Sequence, residues 1–136
     1  WGAGEIRRDM EQNPNSRYFV VVRSGKAFPG QAYRGESEVV GFISYWNVLG
    51  EGEIHDVVVS EKFRRRGLGR KLVNHTLRTG RHEGICDFTL EVRRRNEAAI
   101  KLYEEFGFRS EGIRKGYYDN EDDAVIMWRR AEKTNK

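Results

Sequence analysis

The sequence predicts an α/β fold, a mixed sheet with helices packed on it. Three observations predict it. Strand-like and helix-like segments follow one another in the order β-β-β-α-β-α-β-β. The apolar run Val57-Val58-Val59 leads into a glycine turn, Arg64-Arg65-Arg66-Gly67-Leu68-Gly69, which opens a helix. Downstream, period-two and period-3.6 patterns alternate cleanly, each bounded by its own turn or cap residues.

Residues 1–16 read as the end of a helix, with Ile6 and Met10 at i, i+4, running into Asn13-Pro14-Asn15-Ser16. Tyr18 to Arg23 is β-rich and predicts a strand. Ser24 to Ser37 carries Gly25, Pro29, Gly30 and Gly35 and predicts a long loop. Val39 to Trp46 predicts a second strand, Gly50-Glu51-Gly52 a turn, and Glu53 to Val59 a third strand, so a hairpin meander is the natural arrangement. Leu68, Leu72, Val73 and Leu77 recur at helical spacing until Gly80 to Gly84. Asp87 to Val92 puts Phe88, Leu90 and Val92 on one face and Thr89 and Glu91 on the other. Asn96 is a good N-cap for a helix over Glu97 to Phe106, whose apolar stripe is Ala99, Ile100, Leu102, Tyr103 and Phe106. Gly107 supplies the stop. Phe108 to Arg114 and Ala124 to Arg129 predict a terminal hairpin around the loop Tyr117 to Asp123.

A chain of 136 residues without repeats or low-complexity segments predicts a single domain over 1–136. Nothing approaches the roughly 20 apolar residues that span a bilayer, so no membrane partner is expected. No secretory signal is visible, and the chain starts at Trp1 without a Met. The single cysteine, Cys86, cannot form an internal disulfide, which fits a reducing compartment and predicts a cytoplasmic location. Between Ile85 and Phe88 it is expected to be a buried apolar residue rather than a nucleophile. His55, His75 and His82 have no metal-ligand spacing with Cys86 or one another, so no metal is expected.

The net charge of +4 is local in origin, because Lys62, Arg64, Arg65, Arg66, Arg70 and Lys71 crowd around the glycine turn. There the unpaired N–H groups of a helix N-terminus and the helix dipole favour an anionic phosphate. Glycine permits both the positive-φ turn and close approach of a pyrophosphate. The turn has neither the G-K-[ST] ending of a P-loop nor the G-x-G-x-x-G of a dinucleotide fold. A compact basic cluster on such a turn favours a small polyanionic cofactor over a nucleic acid, with which no direct contact is expected.

The motifs together resemble those of a known family. Arg64-Arg65-Arg66-Gly67-Leu68-Gly69 matches [RQ]-x-x-G-x-[GA], the motif of the GNAT superfamily of acetyl-CoA-dependent N-acetyltransferases. Leu90-Glu91-Val92-Arg93, Asn96, Ala98-Ala99-Ile100, Leu102-Tyr103-Glu104 and Gly107-Phe108 resemble L-E-V-R-x-x-N-x-A-A-I-x-L-Y-E-x-x-G-F. Tyr117-Tyr118, then Glu121-Asp122-Asp123-Ala124 and Met127, resembles a Y-Y…E-D-A…M ending. The set is similar to the ribosomal-protein alanine N-acetyltransferases of the RimI type. It implies the GNAT fold, a mixed and mostly antiparallel sheet with helices packed on both faces. Family members carry a strand and most of a helix-loop-helix ahead of the matched region, so the domain is expected to be truncated at its N-terminus. The Ser24–Ser37 loop is longer than the short turn expected there.

The resemblance implies acetyl-CoA as cosubstrate. The turn Arg64, Arg65, Arg66, Gly67, Leu68, Gly69 and Arg70 would grip its pyrophosphate. The backbone of Val57, Val58 and Val59 would pair with the pantetheine amides as an extra strand, while their side chains are simply core. Asn96 would cap its helix and bond the cofactor. Glu91 is the implied general base, and its position in a strand supports this, since a carboxylate there is costly unless paired or functional. A salt bridge to Arg93, Arg95 or a neighbouring strand is the bland alternative, and Glu53 the other candidate base. Tyr103 is the implied acid for the departing thiolate, and packing on its apolar stripe would equally explain it. Tyr117 and Tyr118 would grip the acceptor; Glu121-Asp122-Asp123 would attract a basic tail or simply be solvated.

The expected function is acetyl transfer to the α-amine of a peptide or protein N-terminus, a ribosomal protein included, by a monomer or weak dimer. An α-amine of pKa about 8 is more often neutral at pH 7 than a lysine of about 10.4. The alternatives are a lysine, polyamine or small-molecule amine as acceptor, or a nucleic-acid or ribosome-binding module with a degenerate cofactor site.

Overall fold

The computed structural model of the chain describes residues 14–23, 38–118 and 122–131. Six strands form one sheet: β1 (Ser16–Arg23), β2 (Glu38–Val48), β3 (Glu51–Val59), β4 (Asp87–Arg93), β5 (Arg109–Tyr118) and β6 (Asp122–Arg129). A 3₁₀ turn at Glu61–Phe63 precedes helix α1 (Leu68–His82), and α2 (Glu97–Glu105) follows β4. The spatial order is β1-β2-β3-β4-β6-β5. Among the described strands only β3 and β4 run parallel, because α1 carries the chain back between them. The meander of β1, β2 and β3 is as expected. The helix expected up to residue 13 and the loop over 24–37 lie outside the described residues.

The β2–β3 turn falls at Leu49-Gly50, one residue earlier than expected. Both residues have positive φ, 52° and 84°, the twist a two-residue hairpin requires. Tyr117, Asp122 and Asp123, expected in a loop, belong to strands β5 and β6.

One face of the sheet carries the core. Ile43 and Tyr45 of β2, Ile54 of β3, Phe88, Leu90 and Val92 of β4, and Val125 and Met127 of β6 form a single cluster with both helices. Helix α1 contributes Leu72, Val73 and Leu77, the spacing read from the sequence. Helix α2 contributes Tyr103, with Ala99, Ile100 and Phe106 packed beside it. The two helices are neighbours: Leu102 lies 3.8 Å from where a Cβ on Gly69 would stand. Both described helices therefore lie on this one face, so the expectation of helices on both faces is met for one face only among the described residues.

Cys86 is exposed, against expectation. Ile85 takes the inward position at 4% exposure, and neighbouring residues of an extended chain point opposite ways.

Glu83, at the end of α1, ties the helix to β1 and β2. It accepts the Tyr45 hydroxyl at 3.0 Å and Arg17 Nε at 3.2 Å. Tyr45 is fully buried, and burial with the Glu83 carboxylate raises its pKa far above the usual phenol range, so the hydroxyl remains a donor. Glu83→Ala would strand that donor. The expected loss is about 1–2 kcal/mol in urea unfolding, with Glu83→Gln losing less because an acceptor remains. The Arg17 contact, 41% exposed, adds little.

Candidate active site

The sheet opens at one place. Pairing between β3 and β4 runs from Glu51 opposite Asp87 to Ile54 opposite Leu90 and stops there. A bulge at His55 causes the departure: Tyr45 pairs with Ile54 but Ser44 pairs with Asp56, leaving His55 unmatched. Beyond it β3 continues through Val57, Val58 and Val59 paired to β2 alone, so its other edge offers backbone groups to an extended ligand. Val57 and Val59 pack against the core, whereas Val58 is 42% exposed. The expectation that all three are core is corrected for Val58, which alternation places on the opposite face.

The glycine turn stands at the end of that free edge. Gly67 occupies the N-cap of α1 at φ 76°, a conformation costly for any residue with a Cβ. No side chain caps the helix, so the first-turn N–H groups of Leu68, Gly69 and Arg70 have no intrahelical acceptor. Arg65 is also left-handed, φ 64°. Arg64 Nε donates to the Val59 carbonyl at 3.2 Å, and Arg66 stacks on the Phe63 ring at 5.1 Å. Arg70 turns away to pair with Glu105 of α2, leaving its backbone N–H as its contribution to the turn. An uncapped, positively charged helix start beside a free strand edge fits a ligand with a pyrophosphate followed by an amide-bearing arm.

On the sheet face opposite the core lies a cleft of about 490 Å³, lined by Glu53, His55, Asp56, Thr89, Glu91, Arg114 and Tyr117 among others. Glu91 is partly buried there and meets Arg114 across β6, Oε1 to guanidinium 2.9 Å. Glu91 thus makes a salt bridge, but to the strand beyond its neighbour β6, while Arg93 and Arg95 turn to Asp122. Glu53 lies 3.8 Å from His55 Nε2. Burial raises the pKa of Asp56, opposed by a hydrogen bond from the Ser44 hydroxyl at 3.4 Å. The cleft thus gathers three carboxylates against one guanidinium.

Glu91, Glu53 and Tyr117 share this cleft; the other sequence-derived candidates do not line it. Tyr103 sits on the core face, 9% exposed, edge-on to Phe108 with ring centroids 5.8 Å apart. Asn96 caps α2, its Oδ1 accepting the Ala99 N–H at 3.1 Å. The side chain of Tyr118 lies outside the described residues. Sequence reasoning missed His55, Asp56, Thr89 and Arg114. Thr89 follows from the alternation that exposed Glu91, but the bulge that turns His55 and Asp56 has no sequence signature.

A split parallel pair, an uncapped helix start at its mouth and a carboxylate cleft behind it offer places for an anionic, amide-bearing ligand and for a cationic group side by side. The chain belongs to the acetyltransferase (GNAT) family, whose profile matches residues 2–108. It is similar to the ribosomal protein bS18-alanine N-acetyltransferase of Salmonella typhimurium, 42% identical over 128 residues, covering 92% of this chain and 86% of that protein. An N-alpha-acetyltransferase of Sulfolobus acidocaldarius is 32% identical over 129 residues, covering 83% of this chain and 76% of that one. The crystal structure of the ribosomal-protein-S18-alanine N-acetyltransferase from Escherichia coli superposes with TM-score 0.77 at 28% identity, over all of this chain and 81% of the other. The chain is an acetyltransferase with the GNAT architecture. Among the described residues no helix is long and apolar enough to cross a membrane.

Proposed function

We propose that the chain transfers the acetyl group of acetyl-CoA to the α-amine of a protein N-terminus, with N-terminal alanine of a ribosomal protein as substrate. The observation that carries this reading is the cleft of Glu53, Asp56 and Glu91 at the opening between β3 and β4. Its negative charge suits a cationic amine, and the Salmonella relative acts on such an N-terminus by its name. A ribosomal substrate puts the reaction in the cytoplasm.

When bound, acetyl-CoA supplies an acetyl group already activated as a thioester. The first-turn N–H groups of α1, with Arg64, Arg65 and Arg66 around them, hold the diphosphate, and the β3 edge aligns the arm. Glu91 takes the proton of the acceptor amine, directly or through water. Tyr103 would supply the proton that the departing thiolate of CoA takes up. Asn96 is occupied as a cap and serves the cofactor side by fixing the start of α2.

A panel of amines tests the acceptor. A peptide with free N-terminal alanine and no lysine is expected to release CoA with kcat/KM at least about tenfold above an N-blocked, lysine-containing peptide or spermidine. Equal turnover of lysine or polyamine would overturn the α-amine reading. A protein that bound RNA in a salt-sensitive manner with no competition by CoA would overturn the enzymatic one.

A further inference from the structure

We propose that Asp123 is a positioning residue for the acceptor amine: it holds the irregular turn of β5 that brings Tyr117 into the cleft. The proposal rests on the acceptor reading above, and Asp123 itself does not line the cleft.

In a regular strand, residues three apart point to opposite faces. Arg114 and Tyr117 are three apart, yet both line the cleft, with the Arg114 guanidinium 5.1 Å from the centre of the Tyr117 ring. The pairing of β5 with β6 explains how. Arg114 stands opposite Ala124 and Tyr118 opposite Asp122, so Lys115, Gly116 and Tyr117 share the single residue Asp123. Gly116 makes the bend at φ 61°. Its N–H, deprived of a ladder carbonyl, donates instead to Asp123 Oδ1 at 3.0 Å.

The same residue anchors the bend to the cofactor side of the site. Asp123 Oδ2 lies 3.4 Å from the Arg94 guanidinium, and its backbone carbonyl accepts the Arg94 N–H at 2.9 Å. Arg94 belongs to the connection between β4, which carries Glu91, and α2, which carries Tyr103. Asp122 adds contacts to Arg93 at 3.6 Å and Arg95 at 3.8 Å. These guanidiniums are half exposed or more, so the ion pairs are weak alone. The Gly116 N–H contact is the one that sets backbone geometry. Part of the acidic stretch that the sequence offers as a peptide-attracting loop thus works inward, on the hairpin itself.

The test measures KM for the acceptor peptide and for acetyl-CoA separately in Asp123→Ala and Asp123→Asn, together with amide hydrogen exchange at Gly116. Asp123→Ala is expected to raise acceptor KM about tenfold, to move acetyl-CoA KM by less than about twofold, and to speed Gly116 exchange. Asp123→Asn keeps an oxygen acceptor and is expected to stay within about threefold of wild type on all three readings. An unchanged acceptor KM, a parallel rise in both KM values, or an asparagine variant as impaired as alanine would each overturn the proposal. If the wild type acetylates no peptide while Gly116 is protected, the α-amine reading alone fails. The same comparison is then made with whichever amine is turned over, and the same outcomes decide it.

Discussion

Glu91→Gln is expected to lower kcat for the acceptor peptide by about 100-fold while acetyl-CoA binding stays within about twofold of wild type. The substitution keeps the shape of the side chain and an oxygen facing Arg114, 2.9 Å away in the native protein. What it removes is the capacity to take a proton from an ammonium that must lose one before it attacks. A 100-fold loss corresponds to about 2.7 kcal/mol of barrier, within the range of one proton-transfer group. Cofactor affinity is expected to be spared because the glycine turn and the Val57–Val59 edge, proposed to hold acetyl-CoA, are separate backbone features. Stopped-flow release of CoA with saturating acetyl-CoA separates the two quantities. If kcat stays within about threefold of wild type, Glu91 is a structural partner of Arg114, and Glu53→Gln becomes the decisive variant. Glu53 lines the same cleft from β3, so a transfer of the loss to that variant would move the base by one strand within the same cleft.

Local signals made most of the scaffold legible. Phe88, Leu90 and Val92 alternate with Thr89 and Glu91, and the structure places the first three in the core and the other two at the cleft. Asn96 reads as a cap because its oxygen reaches the N–H three residues on, and it does so. The glycine turn reads as a phosphate site because a Gly-rich turn at a helix start leaves N–H groups and the dipole facing out, and the structure shows that start without a side-chain cap. What stayed hidden depends on pairing between distant segments. The bulge at His55 exists only relative to β2, and the bend at Gly116 only relative to β6. Both re-aim side chains against the alternation of their own strands, so neither Asp56 nor the joint exposure of Arg114 and Tyr117 follows from local pattern. Cys86 failed for the opposite reason: an apolar neighbourhood in sequence says nothing about phase, and Ile85 had the inward place.

Gly80→Ala is expected to destabilise the domain by about 2–3 kcal/mol, although alanine is the better helix former by about 1 kcal/mol. A Cβ at Gly80 would overlap the edge of the Phe88 ring at Cζ and lie 3.4 Å from Ile85 Cδ1. The ring cannot yield sideways, because its other edge faces Gly52, where a Cβ would stand only 2.5 Å from Phe88 Cδ1. Phe88 is 1% exposed and is thus clamped between a glycine of α1 and a glycine of β3. The free way to relieve the overlap is to lift the C-terminal end of α1 off the sheet. For a domain of this size the loss should appear as a fall in Tm of roughly 10 °C. Phe88→Leu, costly alone through the cavity it leaves, is expected to recover part of the loss in the double variant. The coupling would then be at least about 1 kcal/mol in a double-mutant cycle. Because α1 begins at the glycine turn proposed to hold the diphosphate, lifting its far end tilts Leu68, Gly69 and Arg70. Acetyl-CoA affinity should therefore fall several-fold in Gly80→Ala, measured well below its Tm, and recover with Phe88→Leu. A Gly80→Ala protein as stable as wild type would show that helix propensity outweighs the overlap and that α1 rides higher on β4 than this packing requires. Recovery of stability without recovery of affinity would instead separate the packing of α1 from the positioning of its first turn.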